Sequence, residues 1–167
     1  MTTSRRIGTS WTNSAASNRA ILLFASVLGL GYSPGFGYLL GSFPGFFFWW
    51  LFSSWQLWVQ VIFLAVFTLL AVGITERAER IARQKAPDHI VLNLAIGVWV
   101  SFFLLWRMDG IIFLVGFSLF HFIAACRAFP FTLFEGLPGG VGIVSRAYSA
   151  GIITNLLLRA CLLKGIL

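Results

Sequence analysis

The chain has 167 residues, of which 59% are hydrophobic and only 10% charged, and its mean hydropathy is +0.90. A soluble domain carries about a quarter charged residues to solvate its surface, so an ordinary soluble fold is excluded and the bilayer must act as solvent for much of the chain. The net charge of +7 does not point to nucleic acid: Arg5, Arg6 and Arg19 precede the first apolar run, and Arg77, Arg80, Arg83 and Lys85 lie between two others. That placement marks the cytoplasmic side of a membrane protein, and no basic soluble segment carries interleaved stacking aromatics.

Residues 1–19 are rich in Ser, Thr and Asn and read as a disordered cytoplasmic tail. No small-residue cleavage site follows the first apolar run, as a signal peptide would require. Residues 20–167 are expected to form a single membrane domain. Its first part is apolar but holds Gly29, Gly31, Pro34, Gly35, Gly37, Gly41, Pro44 and Gly45, too many breakers for one uninterrupted helix. Ile21–Tyr32 is therefore expected to be too short to cross, with a turn at Ser33-Pro34-Gly35 and a crossing from Tyr38 to Phe52. Non-helical backbone at that depth is tolerated only where protein or water satisfies it. The run Phe46–Trp50, with Trp55 and Trp58 beyond it, reads as an aromatic belt at an interface.

Further crossings are expected at Leu57–Ile74, Ile90–Trp106, Gly110–Cys126 and Gly142–Leu163, the last despite Arg146, Asn155 and Arg159. Each approaches the roughly 20 apolar residues that a crossing helix needs. The stretch Glu76–Lys85 places Glu76 with Arg80 and Glu79 with Arg83 at i,i+4, so it should continue as a solvated helix; a lipid-headgroup patch is the alternative. A tight turn is expected at Arg107-Met108-Asp109-Gly110, and Cys126 and Cys161 read as buried free thiols. The fold class is therefore an all-α, polytopic integral membrane protein, with about five crossing helices plus a Gly/Pro-rich re-entrant N-terminal segment. The N-terminus faces the cytoplasm of a bacterium, and the last helix ends outside near Lys164.

Four stretches carry a likeness to a known family. They are Gly29-Leu30-Gly31-Tyr32-Ser33-Pro34 continuing to Gly41-Ser42; Ile90-Val91-Leu92-Asn93-Leu94-Ala95-Ile96-Gly97; Leu119-Phe120-His121-Phe122 running through Arg127 to Pro130; and Gly139-Gly140-Val141-Gly142-Ile143-Val144 ending at Ala150-Gly151-Ile152. In order and spacing they resemble the phosphatidylglycerophosphatase A family, membrane phosphatases of bacterial phospholipid synthesis.

The resemblance implies magnesium-dependent chemistry, which needs oxygen ligands, usually one or two carboxylates with phosphate and water. The family's Asp-Glu pair falls on Asn93 and Leu94, its lone Asp on Ala124, and its Asp-Asp pair on Arg146 and Ala147. Its two basic positions fall on His121 and Arg127, and its Pro-Gly-Thr on Gly37-Tyr38-Leu39. The five acids of the chain are Glu76, Glu79, Asp88, Asp109 and Glu135. An arginine in place of a metal-binding aspartate repels the cation.

These departures lead to the expectation of a pseudoenzyme: an inactive scaffold serving as an accessory subunit of a larger membrane complex, photosynthetic or respiratory, with other integral membrane subunits and lipids as partners. The alternative is a divergent lipid-phosphate-binding protein or a lipid phosphatase of phosphatidylglycerol synthesis. No catalytic residue, metal or cofactor is expected; His121, Arg127 and Arg146 are the candidate ligand or partner contacts. His121 reads first as a histidine hydrogen-bonded to a neighbouring helix and, as an alternative, as a contact for a tetrapyrrole pigment. Ser118 lies three residues before it on the same helix face, with no orienting carboxylate near in sequence.

Overall fold

The computed structural model describes residues 18–30, 37–82, 91–105, 108–126, 137 and 139–165, and every regular element among them is helical. Six helices follow in order: α1 at 18–25, α2 Gly37–Phe52, α3 Leu57–Ala82, α4 Leu92–Phe102, α5 Gly110–Ala125 and α6 Gly139–Leu163. The expected turn at Ser33-Pro34-Gly35, together with Arg83, Lys85, Asp88, Arg127 and Glu135, lies outside the described residues.

α2 and α5 match the apolar segments read from the sequence almost to the residue, whereas α6 starts at Gly139 rather than Gly142. α3 runs on past its apolar part to Ala82, and there Glu76 and Arg80 form the expected i,i+4 pair at 2.6 Å. The stretches Leu57–Ile81 and Gly139–Leu163 are long and apolar enough to cross a membrane. α2 and α5 have 16 residues each and α4 only 11, about 24 Å and 16 Å at 1.5 Å per residue. The segment Ile90–Trp106 thus supplies a shorter helix than its apolar run suggested.

α4 is the axis of the fold. Every residue from Leu94 to Phe102 is buried, as befits a helix that is apolar all round, and α2, α3, α5 and α6 pack against it. The crossings are close because glycines stand at them. A Cβ at Gly45 would lie 1.8 Å from the Ala95 carbonyl oxygen, one at Gly151 would lie 2.5 Å from that of Gly97, and one at Gly140 would lie 2.2 Å from that of Val72. Small residues that let helix backbones approach are the chief packing device in lipid. Gly41 and Gly45, which read as breakers in the sequence, are contact surface for α4 inside a continuous helix that also accommodates Pro44.

The contacts also set the helix directions. Gly41 meets Val91 and Gly45 meets Ala95, so α2 runs parallel to α4; Ala147 meets Gly97 and Asn155 meets Val100, so α6 does too. Gly97 meets Phe120 while Gly116 meets Phe102, so α5 is antiparallel to α4. Val72 lies against Gly140 and Thr68 bonds Tyr148, so α3 is antiparallel to α6. The five longer helices therefore alternate in direction along the chain.

The aromatic run divides between two surroundings. Trp49 and Phe52 are buried, and Phe46 and Phe48 pack against the core, while Phe47 and Trp50 are exposed. The Phe52 and Trp99 rings stack with centroids 5.7 Å apart, and Phe46 lies 4.2 Å from Phe113. Only the outer half of the run, with exposed Trp55 and Trp58, suits an interfacial belt. The physical reason is that consecutive residues on a helix point about 100° apart, so no five-residue run can share one face.

α4 stops at Phe102 because α6 takes its carbonyl groups. The Asn155 amide donates to the carbonyls of Val100, Ser101 and Phe103, at 2.9 Å for the last two. Arg159 donates to the Phe103 and Leu104 carbonyls and, through Nε, to the Asn155 side-chain oxygen at 2.7 Å. The last carbonyls of a helix have no partner within it, and in lipid they must find one in the protein. Leu104 sits here at φ 55°, a left-handed conformation that ordinarily favours glycine.

Candidate functional site

Helix direction puts the starts of α2, α4 and α6 at one end of the bundle, together with the end of α5 and the polar extension of α3. The four family-like stretches, far apart in sequence, meet there as far as they are described. Arg146 on α6 donates from Nη2 to the Ala124 carbonyl on α5 at 3.1 Å. The Ala147 carbonyl faces Gly97 on α4, one turn beyond Asn93. His121, one turn before Ala124 on α5, reaches Ser42 on α2 with Nε2 at 3.0 Å from Oγ.

The imidazole is held from both sides. Its Nδ1 lies 2.9 Å from the Phe117 carbonyl oxygen, which can only accept, so Nδ1 carries a proton. Nε2 then exchanges a hydrogen bond with the Ser42 hydroxyl, which also lies 2.7 Å from the Leu39 carbonyl. Ser42 is fully buried and the Phe117 ring centroid stands 4.4 Å from the imidazole. The pair joins α2 to α5 and gives one place where a proton can pass between an imidazole and a hydroxyl.

The sequence suggested Ser118 as the hydroxyl near His121. In the fold Ser118 lines an outward depression with Leu114, Val115, Leu119 and Phe122, and Ser42, distant by 79 positions, is the partner. No local signal marks that pairing; the resemblance of Gly41-Ser42 to a family stretch is the one pointer to it.

At the positions where the resemblance implies carboxylates, Leu94, Ala124 and Ala147 are buried apolar side chains. Asn93 keeps its Oδ1 buried and without a hydrogen-bond partner among the described residues. Arg127 lies outside them. Glu76 packs its side chain against Gly139, which takes φ +59° at the start of α6, and is paired with Arg80. Cys126 and Cys161 are free and half-buried, less enclosed than expected.

The resemblance implies a magnesium ion, and this donor set is a poor match for one. An amide, three apolar side chains and a guanidinium occupy the positions, and among the described residues no three His, Cys, Asp or Glu side chains come together to hold a metal. The ion needs an octahedron of oxygens with at least one carboxylate, and Arg146 brings a fixed positive charge instead. These residues do not fit magnesium.

Comparison with known proteins adds one match. The family model of phosphatidylglycerophosphatase A matches residues 23–162, a span that takes in the end of α1, α2 to α5 whole and α6 almost to its end. No curated protein and no solved structure matches. The match corrects one expectation from the sequence: a family of phosphatases is a family of enzymes, and the residues at the positions where the resemblance implies carboxylates do not by themselves make this chain a non-enzyme. Nor does anything among the described residues support an accessory-subunit role.

Proposed function

We propose, for a chain that belongs to the phosphatidylglycerophosphatase A family, that it acts on the phosphomonoester headgroup of an anionic glycerophospholipid. The observation that carries this reading is the meeting of the family-like stretches at one end of the bundle, around Arg146, His121 and Ser42. A phosphate there would face the starts of α2, α4 and α6, and the positive end of a helix dipole favours anions. Arg146 adds a full charge with several donors, and His121 can give or take a proton at the Ser42 oxygen.

Purified full-length protein, given phosphatidylglycerophosphate in mixed micelles, is expected to bind it saturably and to release inorganic phosphate over time. If neither binding nor release exceeds that of an unrelated helical membrane protein, this reading is wrong.

The membrane setting is part of the proposal. The five alternating helices are read as crossings of a bacterial inner membrane, with α1 as part of a re-entrant start. Arg77 and Arg80 support, by charge bias, the reading that the polar end faces the cytoplasm. In a background lacking Cys126 and Cys161, a membrane-impermeant maleimide should label Trp55→Cys in intact cells and Arg77→Cys only after the cells are opened. Labelling of Arg77→Cys from outside would invert the topology.

A further inference from the structure

We propose that Arg146 binds the headgroup phosphate in place of a divalent metal ion, so that recognition of the lipid at this site needs no metal. This rests on the lipid-phosphate reading above and concerns how that same site holds its ligand. The guanidinium offers five N–H donors, and its hydrogen bond among the described residues is the one to the Ala124 carbonyl. No ion pair joins it to a described carboxylate; at that end Glu76 pairs with Arg80. A half-buried arginine in an apolar bundle is costly unless an anion or a set of acceptors answers it. A phosphate oxygen pair suits the planar fork of the guanidinium, which can bind it bidentately.

Position argues the same way. Arg146 stands at one of the places where the resemblance puts a metal-binding carboxylate, so its charge falls where the metal's charge would otherwise be required. Within the same end lies the Asn93 amide, its oxygen buried without a partner among the described residues. An amide can turn to present its NH2 group to a phosphate oxygen. A guanidinium and an amide are donors to an anion; they are not a cation site.

The test measures binding of phosphatidylglycerophosphate, in nanodiscs of otherwise zwitterionic lipid, to the purified full chain with EDTA or with added magnesium. The expected result is equal binding in both. Arg146→Gln should weaken it roughly 10- to 100-fold, as loss of a charge-assisted bond does, and Arg146→Lys should retain part of it. Binding that EDTA abolishes overturns this inference and leaves the lipid-phosphate reading standing. So does Arg146→Gln protein, shown to be folded by its helical circular dichroism, that binds as tightly as the unaltered chain. The EDTA comparison uses the unaltered protein and so decides even where the variant does not fold. Inorganic phosphate serves as the control ligand: affinity equal to that for the lipid assigns the site to free phosphate and overturns both readings, as does the absence of any binding.

Discussion

Gly45→Ala is expected to destabilise the protein by about 3 kcal/mol, the upper end of the cost of overpacking a core. The added methyl would lie 1.8 Å from the Ala95 carbonyl oxygen and within 2.8 Å of the Ala95 Cα. Those atoms belong to the backbone of α4, which is enclosed on every side and cannot yield as a flexible side chain would. α2 must therefore move away from α4, opening the contact between Phe46, Trp49 and Phe102 as it goes. Gly73→Ala supplies the control. Its Cβ would meet nothing within 4 Å, so it should cost nothing and can add up to about 1 kcal/mol from helix propensity. Thermal unfolding in detergent should separate the two; equal midpoints would mean that α2 does not pack against α4 as described.

The second large effect is expected at Asn155. Asn155→Leu takes the side-chain donor from the Ser101 carbonyl, removes one of two donors from each of the Val100 and Phe103 carbonyls, and removes the acceptor for Arg159 Nε. Single side-chain hydrogen bonds between membrane helices average about 0.6 kcal/mol, but a buried polar group left unpaired costs about 1–3 kcal/mol. With the Ser101 carbonyl left without that donor and three further hydrogen bonds lost at once, a loss of about 3 kcal/mol is expected. Arg159→Leu should cost less, because that side chain shares the Phe103 carbonyl with Asn155 and its bond to the Leu104 carbonyl is exposed. The double variant should cost less than the sum of the two, since the residues act as one network. Additive losses would mean that the two residues stabilise α4 independently. Either way the role is structural: the network sits at the opposite end from Arg146, so phosphatidylglycerophosphate binding by whatever fraction remains folded should be unchanged.

What could be read from the sequence was local or compositional. Apolar runs gave the helices, because a backbone in lipid has almost no other way to satisfy its polar groups. Glu76 and Arg80 are partners because i,i+4 residues on a helix are neighbours whatever the fold. The family was legible from the order of four short motifs, now matched over residues 23–162. Asn93, Leu94, Ala124, Arg146 and Ala147 could be read as standing where the resemblance implies acids, but inactivity did not follow from that, since a list of residues does not say what charge stands at the site they share. That Arg146 lies against Ala124, and His121 against Ser42, is settled by the direction and depth of helices separated by long intervals of chain. The same is true of the glycines. Gly41 and Gly45 look like breaks in a helix when only neighbours along the chain are considered, and become its closest contacts once α4 is beside them. The end of α4 was hidden for the same reason: nothing in Ile90–Trp106 announces a stop at Phe102, because the groups that impose it, Asn155 and Arg159, belong to another helix. Hydropathy records what each residue prefers as solvent; which backbone groups find partners, and where, exists only when the helices are packed.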